Sequence, residues 1–490
     1  MRKVPVIFFI LFYSSLLSQA QTFEYTANCK QAYQSIFKLK LNEGLLLLAK
    51  ERKENPKNYL PFFIENYADF LKLYVNDNEK LYTGTQTKFA SRLEMLSKGN
   101  KNSPYYLYTQ ADIHLQSSLC KIKFGDYLSA VFEVKKAYTM LQENNKKYPD
   151  FKPNLKSLGL LHTIFGAVPD KFKFGAKLLG LNGSIDQGLK ELNTVLKDDN
   201  FQFKEETIIM YTLLMLHLQK DKTTAWSIIE STDVPLGDNL LNYFIAATVA
   251  KHTGKNDKVI SILSNKPNSN EYYPFPFLDF LYGDAKLNKL DSNADVYIKK
   301  FLADNKGRSY QKEALRKLAW FYLIHENPSM YKKNMQQILT LKDAPSDEDK
   351  SAQKEAQQNY IPNKELLKAR ILFDGGYFDK ALTVMNAVKP AVLTDARSKV
   401  EYYYRYARIY HELGEENNAV KFYLLTIQKG QLYDYYFAAN SCIKLANIFE
   451  LQNKKNNAIL YYQKAMNLDK DEYNNSINAE AKAGLNRLGA

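Results

Sequence analysis

The sequence is poor in the residues that build chemistry. Three cysteines, Cys29, Cys120 and Cys442, stand in 490 residues, too few for a disulfide framework and with no Cys-x-x-Cys pair for zinc or redox work. Either all three are buried thiols, or Cys29 and Cys120 form one bridge and Cys442 is left over. The six histidines, His114, His162, His217, His252, His325 and His411, share no His-x-x-x-His or His-Glu-x-x-His pair, so no zinc site is expected. Gly-x-Gly-x-x-Gly, Gly-x-x-x-x-Gly-Lys-Ser/Thr and Gly-x-Ser-x-Gly are absent. Gly180 to Gly188 carries glycines without the lysine and preceding strand of a phosphate loop, and reads as a turn. The pairs Glu205-Glu206 and Glu415-Glu416 fall at helix starts or turns, where negative charge suits the helix dipole. No catalytic residue, no metal ligand and no cofactor is expected, and the protein is read as a non-enzyme.

Long apolar runs are also scarce. Beyond the N-terminus the strongest, Ile208 to Leu218, is 11 residues and contains His217, short of the 18 or so that a membrane-spanning helix needs. The N-terminus itself has Arg2 and Lys3, an apolar run from Val4 to Leu17, and Ser18-Gln19-Ala20, which together make a secretory signal peptide cut after Ala20; a retained anchor is the alternative. Tyr25-Thr26-Ala27-Asn28 before Cys29 lacks the small-residue pattern of a lipoprotein site. The expected product is exported, periplasmic or secreted, and soluble, with no transmembrane segment.

Formal charge is +14, and loss of Arg2 and Lys3 leaves +12. A basic balance favours acidic partners. The lysines are nevertheless scattered, with no basic block interleaved with exposed aromatics, and nucleic acid is not an expected partner. Thirty-six tyrosines and 28 phenylalanines supply a continuous core, so disorder is not favoured.

What is present is helical periodicity. From Thr26 onward no stretch sustains period-two alternation, whereas Leu60, Phe63, Ile64, Tyr67, Phe70, Leu71 and Tyr74 make an apolar stripe at three- and four-residue steps. Asn55-Pro56, Gly99-Asn100, Gly125-Asp126, Asn182-Gly183, Gly254-Lys255 and Asn327-Pro328 punctuate such stripes. Stacked helical hairpins follow. The clearest lie near the C-terminus, where Ala369, Leu372, Gly376, Ala381 and Met385 align with Ala407, Tyr410, Gly414, Ala419 and Tyr423, then with Ala446, Phe449, Asn453, Ala458 and Tyr462. The small residues let two antiparallel helices approach, and the Gly or Asn ends the first helix in a left-handed cap.

These three copies resemble the tetratricopeptide repeat family, in an exported bacterial setting. They are 38 and 39 residues apart against about 34 in the family, so Lys389 to Asp395 and Gly430 to Tyr436 are read as insertions. Glu365 and Lys368 in the first copy stand where the family packs large apolar residues. Gly125, Ala130, Val134 and Ala137, and more loosely Ala247, Gly254 and Leu263, repeat parts of the pattern. Residues 158–192, LGLLHTIFGAVPDKFKFGAKLLGLNGSIDQGLKEL, resemble a segment of a eukaryotic family of tetratricopeptide-like proteins implicated in lipid-associated clearance of inclusions. Within it, Phe172, Phe174, Leu178 and Leu179 are expected to be buried, with a lipid-facing hairpin as the alternative.

The predicted fold is all-α, an α-solenoid of stacked antiparallel hairpins. Its predicted parts are the signal peptide at 1–20, divergent hairpins at 21–341, a polar linker or exposed helix at 342–361, three repeats at 362–475 and a capping helix at 476–490, with Ile477, Ala481, Gly484, Leu485 and Leu488 on its inner face. The resemblance implies a concave groove lined by Leu366, Arg370, Phe373 and Asp374, by Tyr404, Arg408, His411 and Glu412, and by Ile443, Asn447 and Glu450. Arg370 and Arg408 either fork onto a ligand carboxylate or phosphate or pair with Asp374 and Glu412. Tyr404 is the tyrosine expected to meet a ligand. The expected function is an exported scaffold that binds a protein or peptide of the envelope in this groove. The alternative is a carbohydrate- or polyanion-binding protein or helical-repeat hydrolase, with Glu271 to Phe277 as an aromatic loop.

Overall fold

The computed structural model describes residues 21–231, 234–468, 470 and 472–490, and at 170–172 the backbone alone. The leader expected at 1–20 lies outside the described residues. Apart from an isolated bridge between Thr22 and Asn58, the regular structure of the described residues is helical. Two compact units are formed, one from residues up to 74 with 80–211 and 269–273, the other from 75–79, 212–268 and 274–490.

The helices are α1 (Ala27–Phe37), α2 (Leu41–Glu54), α3 (Leu60–Asn76), α4 (Glu79–Leu96), α5 (Pro104–Lys123), α6 (Tyr127–Lys147), α7 (Pro153–Gly166), α8 (Asp170–Leu178), α9 (Ile185–Leu196) and α10 (Lys204–Leu213). They continue as α11 (Lys222–Glu230), α12 (Leu240–His252), α13 (Asn256–Ser264), α14 (Phe277–Asn288), α15 (Ala294–Asp304), α16 (Gln311–Ile324), α17 (Pro328–Thr340) and α18 (Asp347–Gln357). The last are α19 (Lys364–Asp374), α20 (Phe378–Ala387), α21 (Ala396–Glu412), α22 (Glu416–Gly430), α23 (Tyr436–Leu451), α24 (Lys455–Asn467) and α25 (Asn474–Leu488). Most are paired with a chain neighbour as hairpins, among them α5 with α6, α16 with α17, α21 with α22 and α23 with α24. The fold is thus the all-α stack of hairpins that the sequence predicts.

The repeat pattern acts as its chemistry requires. Ala369, Ala381, Ala407, Ala419, Ala446 and Ala458 are all fully buried, as are Met385, Tyr423 and Tyr462. Gly376, Gly414 and Asn453 have φ of 79°, 76° and 59°, the left-handed region in which a Cβ is costly and Gly or Asn is favoured. Glu365 and Lys368, the two departures in the first copy, form an ion pair at 3.1 Å instead of packing.

Of the two arrangements expected for the cysteines, the structure has the first: Cys29, Cys120 and Cys442 are buried free thiols, and burial pushes Cys29 up to about 11 and the other two up to about 12. Two other expectations change. Phe174 and Leu178 on α8 are each 79% exposed rather than buried. The polar stretch 342–361 contains α18, which is exposed along one face and buries Asp349, Ala352 and Ala356 on the other, so it is a packed helix and not a linker. It packs through small and charged side chains, which hydrophobic periodicity does not register. Among the described residues no helix is long and apolar enough to cross a membrane.

The terminal helix α25 closes the last hairpin, with Ile477 and Ala481 in the core of the final repeats. A Cβ on Gly484 would lie 2.3 Å from the ring of the fully buried Tyr462. Gly484→Ala is therefore expected to destabilise the protein by about 1–3 kcal/mol, seen as a lower urea midpoint at unchanged slope.

Candidate functional site

Helices α16, α18, α19, α21 and the start of α23 bring a set of arginines and glutamates together. The N-terminus of α16 has no side-chain cap of its own, because Tyr310 stands there in a left-handed conformation. The cap comes from α18: the Asp349 carboxylate accepts from the backbone N–H of Tyr310 at 2.6 Å and of Glu313 at 3.0 Å. Further along, Lys312 donates to the Gln353 side chain and Arg316 to Ser351 Oγ at 2.9 Å. Glu355 accepts from Trp320 Nε1 at 2.7 Å and from Arg316 at 3.3 Å. The Arg370 guanidinium carbon lies over the Trp320 indole, 4.4 Å from its centroid, where the ring quadrupole attracts a cation.

Next to α18 is a cavity of about 440 Å³, lined among others by Arg370, Arg397, Glu401, Arg405, Tyr436 and Tyr473. Arg397, Glu401 and Arg405 sit one turn apart on α21, so one face of that helix presents alternating charge. Arg405 is held by Glu401 through bonds of 2.6 and 2.9 Å, and Arg397 by Glu472 at 2.7 Å. Arg370 differs. Its nearest carboxylates, Glu355 and Asp374, are 3.7 and 4.0 Å away, it has no hydrogen bond among the described residues, and its side chain is 24% exposed.

The groove positions carried over from the repeat family are only partly brought together. Arg370 lines the cavity. Arg408 stacks over Phe373 at 4.7 Å and donates to Tyr404 Oη at 3.0 Å; its partner is a phenol and not Glu412, which is exposed. Tyr404 is 2% exposed, with its hydroxyl on Asn440 at 2.9 Å, so it is a core residue and not a ligand contact. Leu366 and Ile443 are fully buried as well. They face the neighbouring repeat, Leu366 in a cluster with Tyr406 and Ile409. His411 bonds Tyr423 Oη at 3.0 Å, and burial lowers its basicity. Asn447 and Glu450 are taken up by Tyr462 and by α25, Glu450 in a two-bond pair with Arg487 at 2.9 Å.

Arg397, Glu401 and Arg405 follow a four-residue charge pattern that the sequence carries and that lies outside the groove positions implied by the resemblance. Glu355 was hidden in the stretch read as a linker. The aromatic loop of the alternative function is packed, with Tyr272 buried and Phe275 against Phe244 at 5.4 Å. Elsewhere, His162 bonds Glu191 at 2.6 Å, His114 bonds Glu133, and Lys156 is buried between Glu206 at 3.1 Å and Asp112 at 3.6 Å. No group of three or more metal-ligating side chains occurs among the described residues.

Burial pushes the Glu355 carboxyl up, but Arg316 and Arg370, with the Trp320 hydrogen bond, outweigh it and hold the group below the usual carboxylate range. A depressed carboxyl stabilises the fold above its unfolded value, about 4.3, and the contribution is lost as pH falls through the lower folded value. Urea titrations of wild type and Glu355→Gln are expected to differ by roughly 1–3 kcal/mol near pH 7, and the difference is expected to shrink steadily below about pH 4.3.

No curated protein matches the sequence. Among solved structures, the crystal structure of the yeast Tom70 is similar at 14% sequence identity over 94% of this chain and 95% of that one, with a TM-score of 0.23. Residues 400–426 and 439–472 match the family model described as tetratricopeptide repeat, which puts that family's pattern on the second and third copies, from α21 to α24.

Proposed function

We propose that this protein is a non-enzymatic scaffold that, once exported, binds an acidic peptide segment of a protein partner in the groove of its C-terminal repeats. Residues 362–475 supply the binding repeats and 476–490 their cap. One observation carries this reading: Arg370 opens into a 440 Å³ cavity with no hydrogen bond of its own, while Arg397 and Arg405 in the same cavity are already bound by Glu472 and Glu401. A guanidinium with open donors, backed by an indole face, suits a carboxylate taken in bidentate fashion. Tyr436 and Tyr473 at the cavity wall suit the apolar part of a peptide. The basic net charge of the chain would draw acidic partners toward it.

The probe is a fluorescein-labelled peptide of alternating glutamate and leucine, read by anisotropy, with a lysine–leucine peptide as control. The wild type is expected to bind the acidic probe, more weakly as salt rises, and Arg370→Glu to bind it at least tenfold more weakly. Equal affinity of the two proteins, or equal affinity for the two peptides, would remove the cavity from the function. For the export half of the reading, protein recovered after secretion is expected to begin at Gln21, as read by mass spectrometry of the intact chain.

A further inference from the structure

We propose that α18 is an internal ligand. The strip of α16 that it covers is a docking surface for a partner helix that presents a carboxylate where Glu355 stands and small side chains where Ala352 and Ala356 stand.

The composition of α18 is that of a surface segment. Residues 342–359 contain no Leu, Ile, Val, Met, Phe, Tyr or Trp, and the only apolar side chains that α18 buries are Ala352 and Ala356. The helix beneath it is the opposite case, since nearly every residue of α16 from Lys312 to Ile324 is buried. Lys312, Arg316 and Trp320 stand one turn apart along the covered strip, and each donates to α18, to Gln353, to Ser351 and Glu355, and to Glu355 respectively. The two helices run parallel, with Asp349 at the start of α16 and Glu355 two to three turns further along it. What α16 offers is therefore a row of donors ending in a carboxylate receptor built from the Trp320 indole N–H and the Arg316 guanidinium.

Irregular segments flank α18 on both sides, 341–346 with Pro345 and 358–363 with Pro362. A segment held mainly by polar bonds and tethered at both ends competes with a ligand in solution through its effective concentration. A partner helix of the same chemistry takes the strip when α18 is loosened. Its departure also removes from Arg370 its nearest carboxylate, at 3.7 Å. The inference stands on α16 and does not need the cavity to bind peptide.

A fluorescein-labelled peptide of residues 345–359 is titrated into the full chain and into two variants that weaken α18 in place. Ala352→Glu puts a charge at a fully buried site, and Glu355→Gln removes the charge without changing volume. Both variants are expected to bind the peptide at least tenfold more tightly than the wild type. A peptide carrying Glu355→Gln is expected to bind at least tenfold more weakly to each. In a Trp226→Phe background, which leaves Trp320 as the single tryptophan, emission of the Ala352→Glu variant is expected to shift to the red and to return on adding the peptide. The glutamate–leucine probe reads the cavity separately from the 345–359 peptide, so a failed cavity reading remains distinguishable. No gain in affinity for Glu355→Gln overturns the proposal, as does unchanged Trp320 emission in a folded Ala352→Glu variant. If Ala352→Glu unfolds, the Glu355→Gln titration alone decides.

Discussion

Everything in the C-terminal repeats depends on how closely two antiparallel helices can lie. Ala369 and Ala381, Ala407 and Ala419, and Ala446 and Ala458 are all fully buried, and each pair removes the side-chain bulk that would hold the helices of its hairpin apart. The turn between them must reverse direction at once, which the left-handed Gly376, Gly414 and Asn453 accomplish. Close approach is what lets Met385, Tyr423 and Tyr462 reach full burial on the second helix of each hairpin. It also sets which face of the first helix is left to meet ligands. The same constraint extends to the end of the chain, where Gly484 admits the Tyr462 ring against α25.

The parts of this architecture that depend on steric rules were legible in the residues. Alanine at a close crossing, glycine or asparagine at a left-handed turn and an apolar stripe on a terminal helix each have one dominant physical meaning. The parts that depend on polar complementarity were not. Helix α18 carries no large apolar side chain, so its docking onto α16 through Asp349, Gln353 and Glu355 left no periodic signal. Leu366, Tyr404 and Ile443, at matching places in the three repeats, stand among the groove residues that the resemblance implies, yet they are buried, because each packs into the hydrophobic cluster of neighbouring helices. Arg408 found an aromatic face and a phenol rather than the glutamate one turn on. Phe174 and Leu178, apolar and at helical spacing, are exposed, since α8 interrupts the α7–α9 hairpin instead of joining it.

The charge distribution gives the candidate site its character. Arg405 and Arg397 are neutralised by Glu401 and by Glu472, which leaves their cavity walls nearly balanced in charge. Arg316 is shared by Glu313 at 2.5 Å and Glu355 at 3.3 Å. Arg370 alone in this group meets its carboxylates, Glu355 and Asp374, at 3.7 and 4.0 Å without a hydrogen bond, and it is held in place by the Trp320 indole as well. A guanidinium positioned by packing, with its donors unspent, gains more from an incoming carboxylate than one that must first give up a partner.

The central claim is that this groove takes a carboxylate-bearing peptide. Hydrogen–deuterium exchange of the full chain, with and without the glutamate–leucine probe at saturation, tests it most directly. Slowed exchange is expected in α18, in α19, along α21 as far as Arg405 and at the starts of α23 and α25, the segments that wall the cavity. Protection confined to the partner helices α20 and α22, or exchange unchanged along the whole chain, would contradict it.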